Sequence, residues 1–300
     1  VKWVLVDVSF LAYRALHTVG HLAVEETPTG VLFGFFSQLR SICQDPRVDS
    51  NKIALFFDSK KSYREKAYPL YKKKRRQEQP EERIQQINSM WDQVKILRNK
   101  ILPAIGVPCF LQAGLESDDL IAHASRSLIM KAWQDKGPRG VIITADGDLY
   151  QCINPACHWY DPSRSKYFDV PTFLAAKGIH PSRWGEVKVI GGCSSDNVTG
   201  VPGVGEKTAV DFLKGQLPKK YKRYQAIVSD EGKEIRERNR DLVVLPHPKT
   251  KAFELTTPIY NSDAFFHYCE RYGLVSFLNK KGGWLRFWEG RKFKPRMRAK

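Results

Sequence analysis

The chain has 300 residues and a mass of 34.4 kDa, enough for one large domain or a domain with a small appendage, and enough to bury a core without staples. Its 49 Lys and Arg against 32 Asp and Glu leave a formal charge of +17, which points to an anionic partner, nucleic acid being the natural one. No apolar run reaches 18 residues, Val1-Lys2-Trp3 lacks the order of a signal peptide, and Cys43, Cys109, Cys152, Cys157, Cys193 and Cys269 follow no framework spacing. We therefore expect no membrane partner, reduced thiols and a cytoplasmic protein.

The first element is a strand, Val4-Leu5-Val6, ending in Asp7, followed by a helical stretch that carries Arg14. Leu32, Phe35, Phe36, Leu39 and Ile42 recur at helical spacing over residues 29–43, and the apolar run at 53–57 predicts a second strand ending in Asp58. Between 58 and 84 the regularity lapses. Tyr63, Arg64, Tyr68, Tyr71, Lys72, Lys73 and Arg75 interleave rings and cations there, a pattern that suits either a solvated charged face or backbone neutralisation with base stacking. We favour nucleic-acid contact because the run directly follows a strand-end acid. A helix with apolar positions Ile84, Ile87, Trp91, Val94, Leu97 and Ile101 comes next, stopped by Pro103.

A third strand is expected at 107–111, and Glu116, Asp118 and Asp119 open the helix after it. The apolar run at 141–145 predicts a fourth strand, ending in Asp146 with Asp148 two residues on, and Asp196 follows in Ser194-Ser195-Asp196-Asn197. Eight carboxylates are thus candidates for one site, since open α/β sheets place ligands beyond the carboxyl ends of their strands. Crowded acids repel unless a cation neutralises them, and all-oxygen ligation favours Mg²⁺ or Mn²⁺. Cys152, Cys157 and His158 lack a second ligand pair and do not read as a zinc site. Farther on, Gly203 and Gly205 precede a helix opening at Glu206-Lys207-Thr208, where backbone amides and the positive helix end suit a phosphate. The glycine spacing is wrong for a Walker loop. Trp284, Phe287 and Trp288 are expected to pack onto the body, and the cation-rich residues 291–300 to be disordered without a partner.

Together these blocks resemble the structure-specific 5′ nuclease family, which includes the 5′ nuclease domain of bacterial DNA polymerase I and phage 5′ exonucleases. Leu5-Val6-Asp7 through Arg14 is similar to its first acidic motif, with Val8 where a glycine is usual. Phe57-Asp58 with Tyr63-Arg64 and Tyr71-Lys72 resembles the second motif and helical arch, Glu116-Ser117-Asp118-Asp119 the Glu-x-Asp-Asp motif, and Asp146-Gly147-Asp148 the next acidic pair. Ser194 to Asn197 with Gly200 to Ala209 is similar to the polymerase I helix-three-turn-helix.

The resemblance implies an α/β fold with a PIN-like, mostly parallel central sheet at 1–185, an arch at about 60–84, a helix-three-turn-helix subdomain at 186–260 and an extension at 261–300. It implies a 5′-3′ exonuclease and flap endonuclease of replication or repair that removes 5′ flaps and RNA primers. Its partners would be DNA with a 5′ flap, nick or 5′ end, or an RNA–DNA hybrid. With no polymerase segment following, a polymerase would be a separate partner, and the chain a monomer. Asp7, Asp58, Glu116 and Asp118 would serve chiefly a first metal, with Asp119 in the same motif; Asp146, Asp148 and Asp196 would serve a second or bridge through water. Lys72 would polarise the scissile phosphate, Arg14, Arg64, Tyr71, Lys73 and Arg75 would meet DNA, and Gly203, Gly205, Lys207 and Thr208 would hold the duplex beside a K⁺ ion.

One position departs from the family: Cys193 stands where an Asp is usual, so the second metal is expected to bind weakly or not at all. The rival readings are a PIN-like ribonuclease and a catalytically impaired DNA-binding protein.

Overall fold

The computed structural model describes residues 2–73, 80–130 and 138–290, with nothing stated of the Met130 side chain. Arg75 and the basic tail from Arg291 lie outside the described residues. The chain forms two compact units, one of residues 1–57, 80–110 and 255–300, the other of 58–79 and 111–254. Neither is a continuous stretch of sequence.

In the first unit, β1 (Trp3–Asp7) pairs in parallel with β4 (Lys52–Phe56), which pairs in parallel with β5 (Cys109–Phe110). Between β1 and β4 lies a short hairpin of β2 (Ala23–Val24) and β3 (Thr27–Pro28). All five residues of β1 are buried, as expected of a parallel strand covered on both faces. Asp7 ends it in register with Phe56 and caps the helix Val8–Val19 by accepting from the Phe10 amide. The second helix, Gly30–Cys43, begins one residue after the predicted start and buries Leu32, Phe35, Phe36, Leu39 and Ile42 as its spacing requires. It can lie close to the first because Gly34 has no side chain: a Cβ there would stand 2.7 Å from the Ala15 Cβ.

Pro103 does not stop the third helix where the sequence suggested. Glu81–Ile96 runs through a π-helical turn, Leu97–Ile101, into Leu102–Ile105, and the run ends at Gly106 with φ +85°. The proline falls just after the π-helical turn, in the last segment of the run. Trp284, Phe287 and Trp288 are buried in this unit, where Phe265 stacks among Phe277, Trp284 and Trp288.

In the second unit, β6 (Gly140–Ile143) and β7 (Cys157–Asp161) are parallel, and β8 (Lys166–Phe168) returns antiparallel to β7. The strands are therefore mixed, with the parallel pairs expected from the sequence and one antiparallel edge. The helix Ser117–Met130 starts at the predicted acids. A two-residue pair, β9 (Gly192–Cys193) and β10 (Val198–Thr199), brackets Asp196. Its glycines serve the backbone itself: a Cβ on Gly200 would lie 2.3 Å from the carbonyl carbon of Gly191.

Candidate metal and nucleic-acid site

Within the second unit, short segments bring most of the predicted acids onto common partners. Asp58 Oδ1 accepts from the Ser117 amide at 2.8 Å, tying the residue after Phe57 to the first turn of the helix that carries Asp118. Glu116, one residue before that helix, is buried. Its Oε1 accepts from Lys72 Nζ at 2.7 Å and its Oε2 from the Tyr71 hydroxyl at 2.9 Å. The same hydroxyl lies 3.2 Å from Asp196 Oδ2, and the Asp196 carbonyl accepts from the Lys72 amide at 2.8 Å. Tyr71, 125 residues away in sequence from Asp196, and Lys72 thus clasp Glu116 to Asp196.

Burial raises the Glu116 carboxyl above its ordinary range even though Lys72 and Arg64 pull the other way, and neighbouring Asp58 adds to the rise. Burial works against the charge of Lys72, but Glu116, Asp196 and Asp118 outweigh it and keep the ammonium firmly protonated. These couplings place Asp58, Glu116, Asp118 and Asp196 in one electrostatic neighbourhood. Asp146 adjoins it through the loop after β6: its Oδ1 accepts from the Asp148 amide at 2.8 Å. The loop backbone is held by two indoles, Trp159 donating to the Asp146 carbonyl and Trp184 to that of Gly147. Asp7 belongs to the first unit, where it is buried at the β1 terminus.

Three of the residues expected at the site are buried. Arg64 does not face a strand: it is 2% exposed and forms a bidentate pair with Asp119, 2.7 Å on each side. Asp119, 0% exposed, also accepts from the amides of Glu116 and His247. Both of its oxygens thus accept hydrogen bonds that hold the chain. Tyr71, 2% exposed, packs with Val189, Cys193, Val198, Leu242 and Val243, so it positions carboxylates and offers no stacking face to a base.

The other predicted contacts lie where solvent reaches them. Lys73, Gly203, Gly205 and Lys207 are exposed, and Thr208 and Arg14 are half-buried. Gly203 has φ +72°, and a Cβ at either Gly203 or Gly205 would meet nothing within 4 Å.

A residue that the sequence reading passed over is Lys188. Its ammonium lies 3.0 Å from Asp148 Oδ1 and 2.9 Å from Glu206 Oε1. A lone lysine inside Val187-Lys188-Val189-Ile190 was the available signal, because a cation on an otherwise buried helix needs a partner. Burial opposes its charge, but Asp148 and Glu206 prevail and hold the ammonium above the ordinary lysine range.

Two groupings can be tested for fit to a divalent ion. Asp58, Glu116 and Asp118 offer carboxylate oxygens alone, a donor set suited to Mg²⁺ or Mn²⁺. Asp148, Cys193 and Asp196 have ligand atoms within 4.8 Å of one another, all buried, yet one donor is sulfur. Burial, with Asp148 and Asp196 nearby, pushes the Cys193 thiol up to about 12, and it donates to Asp148 Oδ2 at 3.1 Å. An uncharged thiol beside an ammonium does not fit a hard divalent ion.

Comparison with known proteins places these features in context. A family model described as 5′-3′ exonuclease, N-terminal resolvase-like domain, matches residues 2–178. The 5′-3′ exonuclease of Buchnera aphidicola subsp. Schizaphis graminum is 30% identical over 213 residues, covering 70% of this chain and 69% of that protein. DNA polymerase I of Rhizobium leguminosarum is 31% identical over 217 residues, covering 70% of this chain. The match spans 20% of that polymerase's length. Among solved structures, the bacteriophage T5 flap endonuclease in a pseudo-enzyme-product complex with DNA and metal ions superimposes with a TM-score of 0.63 at 19% identity, over 81% of this chain and 89% of that one. At that identity the likeness speaks to the fold.

Proposed function

The chain belongs to the 5′-3′ exonuclease family, and from that premise we propose that it is a divalent-metal-dependent nuclease that hydrolyses DNA phosphodiester bonds at 5′ ends and flaps, near single-strand/double-strand junctions. The observation that carries this reading is the clasp of Lys72 and Tyr71 on Glu116 and Asp196 beside Asp58 and Asp118. An acidic cluster kept in a chain of charge +17 suits a polyanion held against a metal ion. Asp58, Glu116 and Asp118 are the residues that would hold Mg²⁺ or Mn²⁺, which when bound supplies Lewis-acid stabilisation of an attacked phosphate and acidifies water.

The side chains of the protein do the rest. Lys72, part-buried at the edge of the cluster, faces the scissile phosphate and stabilises the charge that develops on it, an effect that grows as water is excluded. Tyr71 fixes Glu116 and Asp196 in place. Lys73, Lys207 and Thr208 contact the phosphate backbone, and the open loop at Gly203 and Gly205 lets backbone amides approach it. In this proposal residues 186–260 are a helix-three-turn-helix duplex-binding subdomain with a K⁺ ion at its loop, residues 1–185 carry a PIN-like catalytic domain, and the chain acts as a monomer.

Incubation with a 5′-labelled DNA flap, a nicked duplex and single-stranded RNA, with and without Mg²⁺, tests the reading. Mg²⁺-dependent cleavage of the flap is expected; cleavage confined to RNA favours the ribonuclease, and absence of cleavage the binding protein. Asp146→Ala is expected to abolish cleavage while leaving flap affinity within about twofold, as for a group acting on the transition state alone. Turnover equal to the parent's would contradict the assignment.

A further inference from the structure

Resting on the nuclease reading for the role of these acids, we infer that the Lys188 ammonium is the resident cation of the Asp148–Cys193–Asp196 cluster, and that the cluster takes no divalent ion. Both oxygens of Asp148 are committed, Oδ1 to Lys188 at 3.0 Å and Oδ2 to the Cys193 thiol at 3.1 Å. The thiol sulfur also lies 3.0 Å from the Ser195 hydroxyl, and Asp196 Oδ2 lies 3.2 Å from the Tyr71 hydroxyl. A divalent ion entering among these ligand atoms would have to part Asp148 from the ammonium and accept sulfur in place of an oxygen donor.

The ammonium has no open route of retreat. Lys188 is 9% exposed, projects from the helix Trp184–Gly191 and lies 5.8 Å from the centre of the Trp184 ring. Its second carboxylate, Glu206, opens the helix Glu206–Leu213 and is itself shared with Lys177 at 3.6 Å. An ion beside Asp148 would therefore stand against a buried like charge pinned from two helices, and repulsion of that kind is poorly screened away from water. Cys193 puts a thiol where the family resemblance expects a carboxylate, and Lys188 sets an ammonium on the same Asp148; both leave the cluster less negative than three carboxylates would. A fixed monovalent cation thus does the neutralising work that the family resemblance assigns to an exchangeable second ion.

Mn²⁺ titration of the 300-residue chain, followed by the electron paramagnetic resonance signal of the free ion, counts bound ions without reference to cleavage. The double variant Lys188→Met with Cys193→Asp is expected to hold one more ion per chain than the parent, while Asp148→Asn in the parent background leaves the count unchanged. Equal counts in parent and folded double variant, or loss of an ion on Asp148→Asn, overturns the inference. Circular dichroism melts establish that each variant folds, and if the double variant does not, the Asp148→Asn comparison decides. A parent that cuts no DNA with Mg²⁺ would refute the nuclease reading, while the ion counts would still identify the cation at Asp148.

Discussion

Arg64 and Tyr71 sit seven residues apart in a stretch whose charge and rings suggest contact with nucleic acid, yet both are turned inward. Their partners explain why. Arg64 meets Asp119 from 55 residues away and Tyr71 meets Asp196 from 125, and no local pattern announces a pairing at such separation. The sequence makes legible which residue types the site contains, since strand-end acids announce themselves, but it does not say which cations are spent on holding those acids. Removing one partner of a buried ion pair leaves an uncompensated charge, which costs about 3–5 kcal/mol, whereas removing a hydroxyl that serves buried carboxylates costs about 1–3 kcal/mol. Arg64→Met should accordingly lower stability to urea more than Tyr71→Phe, each by a shift in midpoint with little change in slope. A Tyr71→Phe midpoint equal to the parent's would show that the phenol does not hold Glu116 and Asp196; a loss larger than that of Arg64→Met would reverse the ranking.

At the scale of elements, accuracy differs from one element to the next. The helices Gly30–Cys43 and Glu206–Leu213 start within a residue of expectation because apolar spacing defines them. The expected strand at 107–111 shortens to Cys109–Phe110 because strand length depends on a neighbour that the sequence does not name. The glycines between 191 and 205 divide in the same way. A Cβ on Gly192 or Gly200 would collide with the backbone of the facing segment, one on Gly191 would make only ordinary contacts with Gly205 and Glu206, and Gly203 and Gly205 face open space. Gly200→Ala would press a methyl carbon to 2.3 Å from the Gly191 carbonyl carbon and 2.6 Å from the Gly192 amide, where no flexible side chain can yield. A loss of about 1–3 kcal/mol, typical of overpacking, is expected in urea unfolding. Gly205→Ala, with φ −103° and space around it, should leave stability within about 0.5 kcal/mol, as surface changes do, and weaken duplex binding if the backbone approaches phosphate there. Equal stability losses for the two variants would contradict the division.

For the whole molecule, composition suggested reduced thiols and a basic surface, and the structure adds where the thiols lie: all six cysteines are free, and all but Cys109 are buried. Burial raises every one of them above its ordinary value of 9.0, with Cys109, Cys193 and Cys269 pushed up to about 12 and Cys43, Cys152 and Cys157 raised further. An acid whose folded value is raised keeps its proton in the folded chain while the unfolded chain has lost it. The stability it contributes is full below pH 9 and is lost as pH climbs toward the folded value. Lys72 and Lys188, also raised, act in the same direction at higher pH. Each retained proton is worth about 1.4 kcal/mol per pH unit, so the three most deeply buried thiols alone give a slope of about 4 kcal/mol per unit above pH 9. Against a total stability on the order of 5–15 kcal/mol, that slope unfolds the protein within roughly one to four pH units. Urea midpoints measured under reductant at pH 7.5, 9.5 and 10.5 should therefore be highest at the first and fall steeply between the last two, while a midpoint unchanged from pH 7.5 to 10.5 would mean that the thiols titrate in the folded chain as they do in water.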